Sequence, residues 1–274
     1  MAQLSDDRTV PTPPAVARST PRLGLLAEQV LALASPLLLV GLWEGLVRLR
    51  VLDARFFPAP SSIIGTFADL LTSGELFRHV GASLKRVLLG FLVGGAPALG
   101  LGLIMGLSRW ARAALNPIIS ATYPIPKSAI LPLVMLIFGL GDASKVALVA
   151  IGVFYLVLIN TMAGVLNIPS IFLDVGRNFG ASRLQVFRTI ALPGALPLVF
   201  AGLKLGLGIG LVLIVIAEIV GARNGIGYMI WQAWTIFQVE RMYVGLVVIA
   251  ILGWLAALLL DAIERLLIPW KPRR

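Results

Sequence analysis

The chain has no cysteine and only one histidine, His79. Disulfides, thiolate metal sites and a cysteine nucleophile are therefore excluded, as is any multi-histidine metal site. Charge is also scarce, at 13% of the 274 residues against 58% hydrophobic. No Gly-Lys pair occurs, so the chain has no Walker-type phosphate cradle. Gly206, Gly208 and Gly210 lie in an apolar run and do not fit a dinucleotide fingerprint. A Gly-x-Ser-x-Gly elbow and a His-Glu-x-x-His pair are missing too. A membrane enzyme needs polar side chains converging at one depth, and the apolar runs supply few. If nucleotide energy drives this protein, that chemistry belongs to another chain.

What the sequence does contain is long apolar runs. Six reach the roughly 20 residues that a bilayer-spanning helix needs, over about 30–49, 87–107, 118–140, 146–166, 196–220 and 242–260. An all-α integral membrane protein is expected, with its spanning domain over 25–270 and the core of that domain over about 75–268. Residues 1–24 are polar and rich in Pro, Ser, Thr and Arg, and read as a disordered cytoplasmic tail. The net charge of +10 sits at the ends of apolar runs rather than in one patch. That distribution fits topogenic charge beside membrane lipid and argues against nucleic acid as a partner. An even number of spans places both termini on one side, and the basic bias puts that side in the cytoplasm.

Between the first two spans, Phe57-Pro58-Ala59-Pro60 makes a stiff elbow, and Ser61 is expected to cap a surface helix over 62–72 that Gly74 ends. Span two carries Gly90, Gly94, Ala98, Gly102 and Gly106 four apart, and span five repeats the device with Gly202, Gly206 and Gly210. Small residues at this spacing let helix backbones approach closely, either within one subunit or at a moving seam. Pro124, Pro126 and Pro132 break span three, with Lys127 in the break. Lys127 and Lys204 are basic residues within apolar runs. They either give a translocation pathway a positive potential suited to small anions, or snorkel to the interface. Glu218 closes span five and is a third pathway candidate. In the loop after it, Tyr228, Trp231, Trp234 and Phe237 recur three apart. They form an interfacial aromatic belt, a substrate cage or a docking surface.

The most informative stretch is 166–193, a polar island between two apolar runs. Ile168, Ile171, Phe172, Val175 and Phe179 fall on one face of a helix, and Gly180 interrupts it as a C′ glycine does. Ser182 with Gln185 reads as a capping box opening a second short helix, lined by Leu184, Phe187 and Ala191 and stopped by Pro193. Two short amphipathic helices hinged at a glycine either dock a partner or lie on the bilayer.

Asp174-Val175-Gly176, then Gly180, then Ile190-Ala191-Leu192-Pro193 resembles the EAA signature of ABC importer permeases. It departs from that pattern by Asp, Val and Gly at its first three positions. Phe57-Pro58-Ala59-Pro60-Ser61, Pro126-Lys127, Phe138-Gly139-Leu140-Gly141, Ala217-Glu218 and Gly225-Ile226-Gly227, in this order, are similar to the nitrate/sulfonate/taurine branch. The resemblance covers the chain from about residue 55 to the end. It implies a six-helix type I (MetI-like) architecture with cytoplasmic coupling helices in a bacterial cytoplasmic membrane. It further implies two ATPase subunits that bind ATP and Mg, a second permease subunit making a homodimer, and an extracytoplasmic solute-binding protein. Its coupling positions map onto Asp174, Val175, Gly176, Arg177, Phe179, Gly180, Ala181, Ser182, Leu184, Phe187, Ile190, Leu192 and Pro193. The cargo implied is a small anion such as an aliphatic sulfonate, taurine or nitrate, with a vitamin precursor or bicarbonate as alternatives within the family. Outside the family, a stand-alone secondary transporter or channel remains the other class.

Overall fold

The structure, a computed structural model, describes residues 22–270. The described residues form helices and no strand: α1 (Arg22–Arg48), α2 (Pro60–Thr72), α3 (Glu75–Leu107), α4 (Arg109–Thr122), α5 (Leu131–Phe138), α6 (Asp142–Leu166), α7 (Ser170–Asn178), α8 (Arg183–Val186), a π-helical turn (Phe187–Ala191), α9 (Leu192–Gly221), α10 (Ile226–Thr235) and α11 (Val239–Leu267). Helix α1 takes in the last three residues of the expected tail; the rest of the tail lies outside the described residues.

Five stretches are continuous, long and apolar enough to cross a membrane: Val30–Arg48, Glu75–Leu107, Asp142–Leu166, Leu184–Gly221 and Val239–Leu267. The remaining expected span, the third, over 118–140, is divided. Helix α4 stops where Pro124 and Pro126 withdraw backbone donors, and α5 resumes at Leu131. The divided segment nevertheless recrosses the bundle. Gly90 faces Val149 and Gly106 faces Val165, so α3 and α6 run parallel and the chain between them must return to its starting end.

Helix α6 is the centre of the molecule, packed along α3 on one side and α9 on the other. Leu148, Val149, Val153, Val157 and Leu158 of α6 are completely buried. In a bilayer no hydrophobic force draws helices together, so contact must come from close fit. The glycine stripes provide that fit within one subunit. A Cβ at Gly94 would stand 2.2 Å from the Ala150 carbonyl oxygen, and one at Gly102 would stand 2.7 Å from Thr161 Cβ. On the other side, a Cβ at Gly202 would meet Asn160 Cβ at 2.7 Å. A second, smaller core joins α2, α10 and α11 through Ile63, Leu70, Ile226, Met229, Val244 and Val248.

Three local expectations are corrected. Ser61 does not cap α2. Pro60 takes the first helical position, where its missing N–H leaves nothing unsatisfied, and Ala59 is the N-cap. The Ser61 N–H and Oγ instead donate to the Glu44 carboxylate of α1, at 3.0 and 2.9 Å. Pro193 does not stop a helix either. The widened π turn, with Leu192 N–H bonded to the Phe187 carbonyl, absorbs the ring, and α8 continues through it into α9. Lastly, the segment carrying Tyr228, Trp231 and Trp234 is helix α10 rather than a loop, because the amides at its start are held by side chains described below.

Glycine packing gives a direct prediction. Gly94→Ala should destabilise the detergent-solubilised chain by about 1–3 kcal/mol, as overpacking against rigid backbone does. Gly100→Ala, whose added methyl meets nothing within 4 Å, should leave thermal unfolding unchanged or slightly raised.

Candidate functional site

Two places carry chemistry, one at each end of α9. At the first, α7 leaves α6 through a short turn and ends in a Schellman closure. Ala181 N–H reaches the Gly176 carbonyl at 2.9 Å, and Gly180 sits at φ +69, a conformation that costs other residues. The Ser182 capping box then forms. Its N–H meets Gln185 Oε1 at 2.7 Å, and the Gln185 N–H points back at Ser182 Oγ at 3.4 Å.

Among the described residues none covers the apolar face of α7. Ile171, Phe172 and Val175 are exposed and Phe179 is 87% exposed, with Leu184 of α8 exposed beside them. Behind them Gly176 is buried. A Cβ there would come within 3.0 Å of Ile190 Cδ1 and 3.3 Å of Val186 Cγ2, so a glycine lets α7 lie close on the π turn. Asp174, Gly180 and Ser182 are exposed, whereas Ala181, Phe187, Ile190, Leu192 and Pro193 are half-buried and Ala191 is fully buried. The side chain of Arg177 lies outside the described residues. The structure thus separates the expected residues into an outward face centred on Phe179 and an inward set that fixes α7 to the start of α9.

The three intramembrane charges have different surroundings. Lys127 donates to the carbonyls of Thr122, Tyr123 and Ile125 at 3.0, 2.9 and 2.8 Å. It also lies 4.1 Å from the centre of the Tyr155 ring. It thereby satisfies the backbone that the prolines leave open. Lys204 of α9 is paired with Asp261 and Glu264 of α11. Glu218 is completely buried near the far end of α9.

Around Glu218 stands a cluster that the sequence analysis did not find. Three consecutive amides open α10, and each meets a side-chain acceptor. Gly225 N–H donates to His79 Nδ1 at 3.1 Å, Ile226 N–H to Ser83 Oγ at 2.8 Å, and Gly227 N–H to Glu218 Oε2 at 3.0 Å. Ser83 Oγ donates in turn to Glu218, 2.8 Å from its nearer oxygen, and Arg86 Nη1 donates to Glu218 Oε1 at 2.7 Å. Arg86 also binds Asp142 of α6 through Nε at 2.8 Å and the Asn224 carbonyl at 2.8 Å. Lys145 ties the start of α6 to the carbonyls of Leu140, Gly141 and Gly221 at 2.8, 3.0 and 2.7 Å. Gly225, at φ +116, has no room for a Cβ, which would fall 2.2 Å from the Glu218 carboxyl carbon. A sequence signal existed: His79, Ser83 and Arg86 fall at i, i+4 and i+7 on one face of α3.

Residues 98–271 match the family described as the inner membrane component of binding-protein-dependent transport systems. The chain is 34% identical over 236 residues to a putative aliphatic sulfonates transport permease of Bacillus subtilis, with 86% of each chain covered. To the corresponding Escherichia coli protein it is 36% identical, covering 86% of this chain and 90% of that one. To the taurine transport system permease of Escherichia coli it is 33% identical, covering 89% and 91%. Among solved structures, an inward-facing form of the MetNI methionine ABC transporter superposes with a TM-score of 0.59 at 23% identity, over 70% of this chain and 95% of that chain. That likeness establishes the type I importer fold. The chain belongs to the family of binding-protein-dependent inner membrane transport components, as a permease subunit of an ABC importer rather than an enzyme.

Proposed function

We propose that this permease spans the cytoplasmic membrane as a homodimer, carrying a small anion handed to it by an extracytoplasmic binding protein. Two cytoplasmic ATPase subunits bind the ATP and Mg and drive alternating access. The observation that carries this is the bare apolar face of α7. It is held rigidly to the start of α9 by the Gly176 contact and the capping box, and it presents Phe172, Val175 and Phe179 outward. A helix merely resting on lipid does not require a buried glycine and a reciprocal cap to fix its angle to the next helix. On this reading the α7–α8 end faces the cytoplasm, and residues 25–270 act as one permease domain.

An aliphatic sulfonate or taurine is the favoured cargo. The support is the likeness to two aliphatic sulfonate permeases and a taurine permease, together with the electrostatics of the spans. A riboflavin transport permease of Chloroflexus aurantiacus is also 34% identical, which keeps a vitamin-type cargo as the second reading. Of the three charges proposed for the pathway, Lys127 is the one with an uncancelled field. Its partners are neutral carbonyls and a ring, whereas Lys204 faces two carboxylates and Glu218 faces Arg86. Lys127 is accordingly the pathway residue, and Lys204 and Glu218 hold helices.

Two outcomes are expected. Phe179→Asp places a charge on the bare face without touching the fold. It should abolish co-purification of the ATPase while leaving the permease monodisperse; an ATPase still retained in full would refute the docking assignment. Lys127→Met should raise the KM for sulfonate uptake in proteoliposomes and, by leaving the carbonyls of Thr122, Tyr123 and Ile125 without their donor, also lower stability by about 1–3 kcal/mol. Lys204→Met, which takes the cation away from between Asp261 and Glu264, should lower stability by up to about 3 kcal/mol, and the swap Lys204→Arg should restore it.

A further inference from the structure

Helix α9 touches both functional places. From Leu184 to Gly221 the helical path is continuous, about 57 Å at 1.5 Å per residue, with the α7 knob at one end and Glu218 near the other. Along its middle it meets α6 through Gly202, Gly206 and Gly210. Such van der Waals contacts hold helices together but resist sliding weakly, because they have no direction. The far end is different. Beside apolar packing it carries directed hydrogen bonds, and those joining Glu218 to Ser83, Arg86 and the Gly227 amide lie between buried groups, so that losing one leaves a buried donor or acceptor unsatisfied.

The charges of that end also balance. Glu218 and Asp142 oppose Arg86 and Lys145, and both Arg86 and Lys145 are almost completely buried. A charge-balanced cluster in which the buried carboxylate accepts from Ser83, Arg86 and the Gly227 amide is costly to rearrange, although the buried His79 Nε2 has no hydrogen-bond partner. It joins three elements: α9 through Glu218, α3 through His79, Ser83 and Arg86, and α10 through the amides of Gly225, Ile226 and Gly227. Arg86 and Lys145 extend the join to α6.

We propose that the Glu218 cluster is a clamp welding the far end of α9 to α3, α6 and α10, so that displacement entering α9 at the α7 knob moves the far mouth as one body. Glu218 is then a positioning residue for transport: it touches no cargo, and its loss uncouples hydrolysis from passage. This rests on the permease reading for its source of displacement, but the rigidity of the clamp is a property of the chain alone.

The test uses two variants. Glu218→Gln keeps size and an acceptor for the Gly227 amide but removes the charge that Arg86 needs. Ser83→Ala is the milder change, removing the bridge between the Ile226 amide and the carboxylate. The complete complex of permease, ATPase and binding protein is reconstituted in proteoliposomes, and taurine uptake is divided by ATP hydrolysed. For both variants the ratio should fall by about fivefold or more while hydrolysis stays within about twofold of wild type. A parallel fall of uptake and hydrolysis, or an unchanged ratio, would overturn the clamp. Because the chain has no cysteine, spin labels can be placed through Lys85→Cys on α3 and Gln232→Cys on α10. The wild-type distance should stay narrow with and without trapped nucleotide, and should broaden in Glu218→Gln. A wild-type distance that broadens on trapping would contradict the weld even if uptake behaved as expected. That distance can also be read on the permease alone. A wild-type complex without ATPase activity but with a narrow distance would therefore refute the source of displacement and leave the weld standing.

Discussion

The lack of water at bilayer depth is the constraint on which this structure depends. Every amide and carbonyl that leaves a helix there must find its partner within the protein. Two departures from helix among the described residues show how charged side chains answer this demand. In the break of 123–130, the Lys127 ammonium collects three carbonyls. In the turn of 222–227, Glu218 and its neighbours on α3 collect three amides. The signs match the groups to be satisfied: a cation serves acceptors and an anion-centred cluster serves donors. Charges that look like pathway features in the sequence therefore have backbone work to do first.

The same constraint explains the glycines. With no hydrophobic gain from helix association in lipid, α3 and α9 approach α6 closely enough for backbone to touch backbone. The Gly94–Ala150 contact is the tightest case, and it fixes α3 parallel to α6. Parallel neighbours oblige the intervening segment to cross the bundle, which is why a span broken by prolines is kept rather than lost.

Much of this was legible beforehand for identifiable reasons. The spans follow from apolar length, the stripes from a four-residue period, and the Gly180 turn with its capping box from strong local chemistry. The errors occurred where a local rule met a non-local partner. Ser61 is an excellent cap by type, but Pro60 already held the first helical position and Glu44 claimed the serine. Pro193 stops helices in general, but here a π turn accommodates it. The Glu218 cluster went unseen because its α3 members lie more than a hundred residues from Glu218, and only the i, i+4, i+7 spacing of His79, Ser83 and Arg86 hinted at a polar face. The uncovered face of α7 could be anticipated as an amphipathic stripe. That no described residue covers it required the folded structure.

The account's central claim is that this uncovered face receives force from a nucleotide-hydrolysing partner. The most direct measurement places a photo-crosslinking side chain at Phe179 in membranes that hold the intact transporter. The account predicts one dominant adduct, with the ATPase subunit, whose yield changes with ATP. Adducts with lipid alone, or labelling of the same position from the extracytoplasmic side, would contradict it.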